Sequence, residues 1–264
     1  MPKNAESEKG LKSQLLQELT RKKRQLDALR PFPKAALERL KEHLDVEWTY
    51  HSNAIEGSTL TLAETRLILL DGLTVGGKTL REHLEAINHK HAIDFVEALA
   101  RKAEPITERD IRQIHALILR TIDDENAGRY RQGQVYIAGS EYVPPKAPFV
   151  PMLMEELVAW LNSEEATRLH PVERAALAHF RLVHIHPFVD GNGRTARLLM
   201  NLLLMRDGYL PAVIRREERG RYFDALDEAH QGNTEPFVMF VAEVENRSLD
   251  MWLEALSEKT LFSC

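Results

Sequence analysis

Cysteine is almost absent from this sequence, because the only one, Cys264, is the last of 264 residues. A disulfide framework is therefore excluded, and we expect a reducing compartment, which we take to be the cytoplasm. The polar segment 1–12 contains no apolar core of a secretory signal. The longest aliphatic run, Leu198–Met205, is far shorter than the ~20 residues of a membrane span, so no membrane partner is expected.

The chain also lacks an excess of positive charge. Its formal net charge is -5 and its sequence pI is about 6.1, so the overall charge does not predict a nucleic-acid partner. One basic run, Arg21–Arg24, lies in a charged helical pattern, where a solvated helix face is the commoner outcome. Hydrophobic residues make up 44% of the chain, which is enough for one globular domain with a sizeable core.

Helical periodicity is abundant. Leucines spaced through 11–30 predict an amphipathic helix that ends at the sequence PFP, and a second helix is predicted over 34–55. Two capping-box pairs then open further helices. These pairs are Thr61 with Glu64 and Thr79 with Glu82.

One segment interrupts the helical pattern. Residues 128–150 contain glycines, prolines and the β-prone pieces QVYIA and SEYV around Gly139, which together predict a small hairpin. A lone hairpin is not a sheet, so the predicted class is all-α with a small β-hairpin flap. We divide the chain into an N-terminal helical extension, 1–33, and a main domain, 34–264.

The stretch HPFVDGNGRTAR, His186 to Arg197, combines several chemical groups. A predicted helix begins near Gly193, and a helix N-terminus binds anions readily. Arg194 and Arg197 share a helix face, and their guanidinium groups match phosphate oxygens. Asp190 suits a hard cation such as Mg²⁺, and His186 suits a general base. This pattern predicts phosphoryl- or nucleotidyl-transfer chemistry.

Other interpretations of this stretch are weaker. GNGRTA formally fits a dinucleotide-binding pattern, but that pattern follows a strand and here it follows a predicted helix. His184 and His186 would need further ligands to bind zinc, and no zinc-site spacing is present.

The same stretch matches the Fic-domain signature H-x-F-x-[DE]-G-N-G-R-x-x-R at every specified position. Together with SNAIEGSTLTLAE and WLNSEEATRLHPVERAALAHF, it makes the chain resemble Fic-domain protein adenylyltransferases over roughly residues 40–255. The resemblance implies a Fic-fold helical bundle and transfer of AMP from ATP to a Ser, Thr or Tyr hydroxyl of a target protein, or of the enzyme itself. It also implies Mg²⁺ (or Mn²⁺) as cofactor. Many relatives are homodimers, for which the segment Leu67–Leu73 and the surroundings of Leu80 are candidates.

The resemblance assigns roles to individual positions. His186 would deprotonate the incoming hydroxyl, Phe188 would anchor the loop, and Asp190 would hold the metal. The residues implied in nucleotide binding are Gly191, Asn192, Gly193, Arg194, Arg197, Ser52, Tyr222, Phe223 and His230. The residues implied in the flap, which would pair with the target backbone as an added strand, are Val135, Tyr136, Ile137, Ala138 and Gly139.

Two of these positions bear on the reaction. Relatives that transfer phosphate carry lysine where this chain has Gly193, so the glycine favours AMP transfer. His230 stands where related Fic adenylyltransferases have asparagine, so transfer of another nucleotide such as UMP remains open. A Fic module that binds a nucleotide or a partner without turnover also remains an alternative.

SNAIEG, from Ser52 to Gly57, matches the inhibitory pattern [ST]-x-x-x-E-[GN] of Fic proteins. The resemblance implies an N-terminal inhibitory helix, about 45–57, in which Glu56 pairs with Arg197. Glu56 would then take the guanidinium that the γ-phosphate of ATP needs. The same glutamate is implied in the reverse activity, removal of AMP from the target.

Overall fold

The computed structural model describes residues 3–32, 34–137 and 139–257, and the regular structure within them is helical. Two short 3-10 turns, 147–149 and 216–218, accompany the α-helices. The α-helices are α1 (Lys3–Ala28), α2 (Lys34–Ile55), α3 (Leu62–Asp71), α4 (Leu80–Ala100), α5 (Glu108–Leu119), α6 (Val150–Leu161), α7 (Glu164–Arg168), α8 (Pro171–Ile185), α9 (Asn192–Arg206), α10 (Arg219–His230) and α11 (Glu235–Ser257).

Local signals account for where several helices begin. The predicted capping boxes are formed at the start of α3 and α4: each threonine hydroxyl accepts from the N3 amide, and each N3 glutamate accepts from the cap amide. α5 begins in the same way at Thr107. Each box satisfies two amides that the helix itself leaves unpaired.

α9 is the central helix of the bundle. It packs along α8, and α4 and α5 cover its other sides. Its side chains from Leu198 to Leu204 are all buried, as expected of a helix that is apolar around its circumference. The N-terminus of α9 and the C-terminus of α8 thereby meet at one end of the core.

α1 shares the core with the rest of the chain. It packs against α11, and Leu19 and Leu26 are completely buried in the same hydrophobic cluster as the α9 leucines. The division at residue 33 therefore stays a prediction, and Pro33 itself lies outside the described residues. None of the helices in the described residues combines the length and the apolarity that a bilayer crossing requires.

The predicted β-hairpin is not formed in the described residues, which contain no paired strands. The flap contains a turn in which the Ser140 amide donates to the Ile137 carbonyl at 3.2 Å. A proline pair ends the segment and supplies no amides for a ladder, and two short strands with no third strand are marginal in water. The fold is therefore all-α with an irregular flap. Ala138, one of the predicted flap residues, lies outside the described residues.

Candidate active site

A sharp reversal of the chain joins α8 to α9. His186 follows the last residue of α8 in the left-handed conformation, with φ 50° and ψ 59°, and its amide donates to the Leu182 carbonyl at 2.9 Å. Gly191, the N-cap of α9, has φ 74°, which glycine adopts without the penalty that a side chain brings. The conformation costs a non-glycine residue about 1–2 kcal/mol, so contacts around His186 must maintain it.

The loop between these two residues is stabilised by its own side chains. The Asn192 amide group accepts from the Phe188 N–H at 3.0 Å and donates to the Phe188 carbonyl at 2.9 Å. The Phe188 ring is fully buried and stacks on His115, with ring centroids 3.6 Å apart. The side chain of Asn192 therefore stabilises the loop, and its backbone amide remains at the start of α9 for an anion.

His115, on α5, is a positioning residue that the sequence interpretation missed. Its Nδ1 accepts from the Gly128 amide at 2.9 Å, so the ring proton is on Nε2, which donates to the Asp190 carbonyl at 2.9 Å. Burial lowers the pKa of His115 to about 4, which keeps the ring neutral. The available signal was a histidine on the buried face of an amphipathic helix, where a purely structural histidine is commoner.

Glu56 and Arg197 form a salt bridge, with Nη2 to Oε1 at 2.7 Å. The Arg197 side chain is 3% exposed and that of Glu56 is 35% exposed. Arg197 also donates to the Ser52 carbonyl at 2.9 Å, to Ser52 Oγ at 3.1 Å and to the Tyr222 hydroxyl at 3.4 Å. Burial alone would lower the pKa of Arg197, but Glu56 and Tyr222 outweigh it and raise the pKa.

Glu56 lies in the turn just after α2, which ends at Ile55 as predicted, whereas the inhibitory helix implied by the resemblance continues to about residue 57. Arg219 Nε holds this helix end by donating to the Ile55 carbonyl at 2.9 Å. A Cβ atom at Gly193 would collide with Glu56 Oε1, so the carboxylate lies against the first turn of α9. No side chain of the described residues caps that turn. The carboxylate of Glu56 therefore occupies an anion-favouring position at a helix N-terminus.

The role of Tyr222 in the adenine pocket stays a prediction, and its hydroxyl has a further contact with Arg197. Tyr222 is 1% exposed, and because Arg197 donates to its oxygen, its O–H donates to His179 Nε2 at 3.0 Å. Burial raises the pKa of Tyr222 to about 12, and burial lowers the pKa of His179 well below its ordinary value. The hydroxyl thus orients Arg197, and His179 is a second partner that the sequence interpretation missed.

Arg194 and Asp190 form a charged cluster with α4. Arg194, 3% exposed, lies 3.3 Å from Glu85 Oε1 and 3.5 Å from Asp190 Oδ1, and it is not among the residues that line the cavity. Asp190 Oδ2 also accepts from Arg81 at 2.8 Å. Burial would raise the pKa of Asp190, but Arg194, the Gly191 amide and Arg81 together lower it. Arg81 and Glu85 were not anticipated from the sequence.

Asp190 fits a metal only if a ligand supplies most of the coordination. The described residues contain no group of three or more His, Cys, Asp or Glu side chains arranged to hold a metal ion. Mg²⁺ is commonly bound by one or two carboxylates together with substrate phosphates and water. The ionised Asp190 carboxylate, 47% exposed in the cavity wall, matches this arrangement.

Glu56, Asp190 and the start of α9 line a cavity of about 350 Å³. His186 lies in its wall, and its Nδ1 donates to the Val183 carbonyl at 3.3 Å, which leaves Nε2 unprotonated in the neutral ring. Burial lowers the pKa of His186 to about 4, so Nε2 is a free base at neutral pH. The other predicted site residues that line the cavity are Glu56, Asp190, Gly191, Asn192, Gly193, Tyr222, Phe223, His230, Tyr136 and Ile137.

The flap packs against α10 and the end of α8. Tyr142 stacks on His230, with centroids 3.8 Å apart and an interplanar angle of 5°, and its hydroxyl donates to the His184 carbonyl at 2.9 Å. His230 and His184 share one hydrogen bond between their Nδ1 atoms at 3.0 Å. Ser140 Oγ donates to Asp227 Oδ1 at 2.7 Å. His230 therefore supports the flap as well as the cavity wall.

Fic proteins are found by comparison of both the sequence and the structure with known proteins. The sequence profile of the Fic/DOC family matches residues 105–204. A protein adenylyltransferase Fic of Drosophila yakuba is 43% identical over 243 residues, which cover 92% of this chain and 48% of that protein. The chain thus spans about half the length of the curated relatives it matches.

Solved structures show the same fold. A Fic-1 fragment from C. elegans superposes with a TM-score of 0.87 at 36% identity, covering 95% of this chain and 74% of that one. A Fic-domain-containing signaling protein from Bacteroides thetaiotaomicron superposes with a TM-score of 0.83 at 32% identity, covering 92% and 97% of the two chains.

Proposed function

Because this chain belongs to the Fic/DOC family, we propose that it is a protein adenylyltransferase, which transfers AMP from ATP to a side-chain hydroxyl of a protein and releases pyrophosphate. The observation that carries the proposal is the meeting, at one cavity, of a neutral His186 and the uncapped first turn of α9. A cavity of about 350 Å³ is in the range of small-molecule sites.

In this reaction, His186 Nε2 accepts the proton of the target hydroxyl while its oxygen bonds to the α-phosphorus of ATP. The bond between that phosphorus and the bridging oxygen breaks, and pyrophosphate leaves. The amides at the start of α9 hold phosphate oxygens, and His115 and Asn192 keep the loop in place. Mg²⁺ held by Asp190 would neutralise phosphate charge.

The salt bridge of Glu56 supports a self-inhibited state. Arg197 is the guanidinium expected to bind the γ-phosphate, and Glu56 holds it at 2.7 Å. Breaking a buried pair costs about 3–5 kcal/mol, and the partial exposure of Glu56 together with the bonds that Arg197 retains makes about 1–2 kcal/mol more appropriate. Since each ~1.4 kcal/mol is a factor of ten, this lowers activity about tenfold.

The test is a labelling assay with ATP labelled at the α-phosphorus. We expect Glu56→Gly to raise transfer of label about tenfold over the wild type. Adding His186→Ala to this variant should abolish the label. Glu125→Gly, at an exposed turn glutamate, is the matched control and should leave transfer unchanged. Equal labelling by the wild type and Glu56→Gly would count against self-inhibition, and labelling that survives loss of His186 would count against its role as the base.

The same assay, with UTP, GTP and CTP in place of ATP, tests base selectivity. We expect ATP to be the preferred donor, and preferred transfer from UTP would replace AMP with UMP in the proposal. Absence of transfer from any of the four, while ATP still binds, would favour the non-catalytic binding module.

Removal of AMP is a second proposed activity of this site. The Glu56 carboxylate is 35% exposed and lies against the phosphate position, where it is suited to orient a water molecule. AMP-modified target should lose its label with the wild type and retain it with Glu56→Gly. The same rate of release by both proteins would exclude Glu56 from the reaction.

The flap is proposed as the docking segment for the target protein. Tyr136 is 77% exposed beside the cavity, and the described flap residues form no strand pairing of their own. Tyr136→Asp should therefore reduce kcat/KM for the target protein more strongly than it weakens binding of ATP. Unreduced labelling would exclude Tyr136 from docking.

A homodimer is proposed through the outer faces of α3 and α4. These faces and the loop between them expose five aliphatic side chains, and Leu80 reaches 75% exposure. Leu70→Asp should convert a dimer into a monomer in light scattering, whereas a wild type that is already monomeric would contradict the proposal. The exposed residues are Leu67, Leu70, Leu73, Leu80 and Ile87.

A further inference from the structure

Arg131 lies between α5 and the flap and has no role in the site described so far. Arg131 is 2% exposed. Nε donates to the His186 carbonyl at 2.8 Å, and Nη2 lies 3.5 Å from the Ile185 carbonyl. Nη1 donates to the Gly133 carbonyl at 3.0 Å, and Nη2 donates to the Pro145 carbonyl at 2.5 Å. One guanidinium thus contacts four backbone carbonyls.

These carbonyls belong to two separate parts of the site. Ile185 and His186 are at the C-terminus of α8, where a helix leaves its last carbonyls without intrahelical donors. Gly133 and Pro145 are on either side of the flap turn, one before and one after it. The Arg131 amide also donates to the Pro187 carbonyl at 2.9 Å, so the residue is fixed to the His186 loop by backbone and side chain together.

The chemistry of this contact requires arginine. Its planar fork offers five N–H donors in fixed directions, whereas lysine offers one compact point charge. Among the described residues, no carboxylate forms an ion pair with Arg131, although the side chain is buried. A charge–charge pair therefore does not explain its burial, and the four carbonyls are its partners.

We propose that Arg131 is a positioning residue that couples the flap to the general base: it holds His186 in its left-handed conformation and fixes both ends of the flap at a set distance from it. This inference rests on the proposed function in assigning His186 as the base and the flap as the docking segment. Docking of a target at the flap is then transmitted through Arg131 to the backbone that carries the imidazole.

The proposal is tested in the Glu56→Gly protein, which binds ATP without competition from Glu56. Arg131→Lys should lower kcat for target labelling about tenfold or more, since a displacement of about 1 Å in a reacting group costs up to about a hundredfold. The dissociation constant for ATP should change less than about twofold, because Arg131 is not among the residues that line the cavity. Guanidinium ion added to Arg131→Ala should restore part of the lost kcat.

A pH profile separates positioning from general stability. In the wild type, burial lowers the pKa of His186 to about 4, and the Glu56→Gly parent lacks only a carboxylate that raises this pKa. Labelling by the parent should therefore stay constant down to mildly acidic pH. In Arg131→Lys the loop is released and the imidazole is more hydrated, which raises the pKa of His186 towards the ordinary value for histidine. The pH below which labelling falls, the acidic limb of the profile, should therefore move up. Arg174→Lys is the matched control, since Arg174 is a half-buried arginine at the other end of α8, paired with Asp207 at 2.8 Å. It should leave kcat and the acidic limb unchanged.

Hydrogen exchange provides a readout that does not depend on activity. Arg131→Lys should raise amide exchange in both 133–145 and 185–187, and Arg174→Lys in neither. An inert Glu56→Gly parent would reject the proposed function alone, and the exchange result would still decide the coupling. Unchanged exchange, a rise in only one segment, or a kcat and acidic limb equal to those of the parent would overturn the proposal.

Discussion

Gly193 shows how closely the Glu56 carboxylate approaches the first turn of α9. Its backbone is helical, so the glycine is not needed for its conformation. It is needed for space, because a Cβ there would meet Glu56 Oε1 and would lie 3.1 Å from Arg197 Nη1. A lysine at this position, as in the phosphate-transferring relatives, is therefore incompatible with the observed position of Glu56.

This contact predicts that one substitution has different effects in two backgrounds. Gly→Ala within a helix ordinarily stabilises a protein by about 0.4–1 kcal/mol. In the wild type, Gly193→Ala should instead lower the free energy of unfolding, because Glu56 is pushed away from Arg197. In the Glu56→Gly protein only the 3.1 Å contact with Arg197 Nη1 remains, so the same substitution should be far less destabilising. Urea unfolding of the wild type, Gly193→Ala, Glu56→Gly and the double variant measures the free energy of unfolding of each.

The control for this cycle is Gly220→Ala, at a helical glycine whose added Cβ would meet nothing within 4 Å. It should have the same effect in both backgrounds. Additive effects at Gly193 would mean that Glu56 does not lie against the first turn of α9.

Single residues were predictable from the sequence only where a pattern was specific. The loop residues from His186 to Arg197 follow from a contiguous motif. His115, His179 and Arg131 come from α5, α8 and the segment before the flap, and each acts by donating to or accepting from a neighbour that is distant in sequence. A single sequence contains no signal for such tertiary hydrogen bonds.

The C-terminal turn of α2 determines where Glu56 lies. The Asn53 carbonyl accepts from the amides of Glu56 and Ser58, each at 3.1 Å. The Asn53 side chain donates to the Glu85 carbonyl of α4 at 3.2 Å, and its Oδ1 is buried without a partner among the described residues. The turn that carries the Glu56 carboxylate is thus fixed to α4.

Asn53→Ala should loosen this turn with little loss of stability, because it removes one hydrogen bond together with one unsatisfied oxygen. The hydrogen bond contributes ~1 kcal/mol, so its loss raises the population of the released turn about fivefold at most. Basal AMP transfer should therefore rise about two- to fivefold and stay below that of Glu56→Gly. The labelling assay measures the rise.

Asn162→Ala is the matched control, since the Asn162 amide donates to the Ile106 carbonyl at 2.9 Å, away from the cavity. It should leave basal transfer at the wild-type level. An unchanged rate for Asn53→Ala would show that the contact with α4 does not restrain Glu56.

Helices and flap differ in how far local sequence determines them. The capping boxes and leucine spacing predicted α2, α3 and α4 because a helix satisfies its own backbone and needs only a buried face. The predicted hairpin does not form in the described residues, because β-propensity acts only through a pairing partner. Ser140 and Tyr142 bind α10 and α8 instead, an outcome that local sequence does not encode.

Across the molecule, buried titratable groups give the stability two opposite pH dependences. Burial lowers the pKa of seven of the eleven histidines, most strongly in the fully buried His89 and His179. Their unfolded forms bind protons near pH 6.5, so unfolding becomes easier as pH falls below that value. Burial raises the pKa of Glu245 well above 4.5. Its unfolded form loses a proton above pH 4.5 while the folded form keeps it, so the free energy of unfolding falls as pH rises above that value.

We therefore expect the free energy of unfolding to fall between pH 6.5 and 5, by up to ~1.4 kcal/mol per pH unit for each fully buried histidine. Glu245→Gln should remove the opposite trend, because the Gln oxygen still accepts from the Leu210 amide that Glu245 contacts at 3.3 Å. Urea unfolding at several pH values should give a mutant whose advantage over the wild type grows with pH. If the free energies of unfolding of the wild type and the mutant change in parallel with pH, Glu245 is ionised in the folded protein as well.

In the proposed self-inhibited state, Arg197 already has the contacts that would hold it after Glu56 leaves. Of its hydrogen bonds, only the one to Glu56 involves the turn after α2 that has to move, while those to Ser52 and Tyr222 hold the guanidinium in place. In this proposal, activation would require only that one short turn withdraws from a guanidinium that is already in position. A signal that releases it has to perform only a small amount of work, and the helical scaffolds of the resting and working enzymes should superpose almost atom for atom.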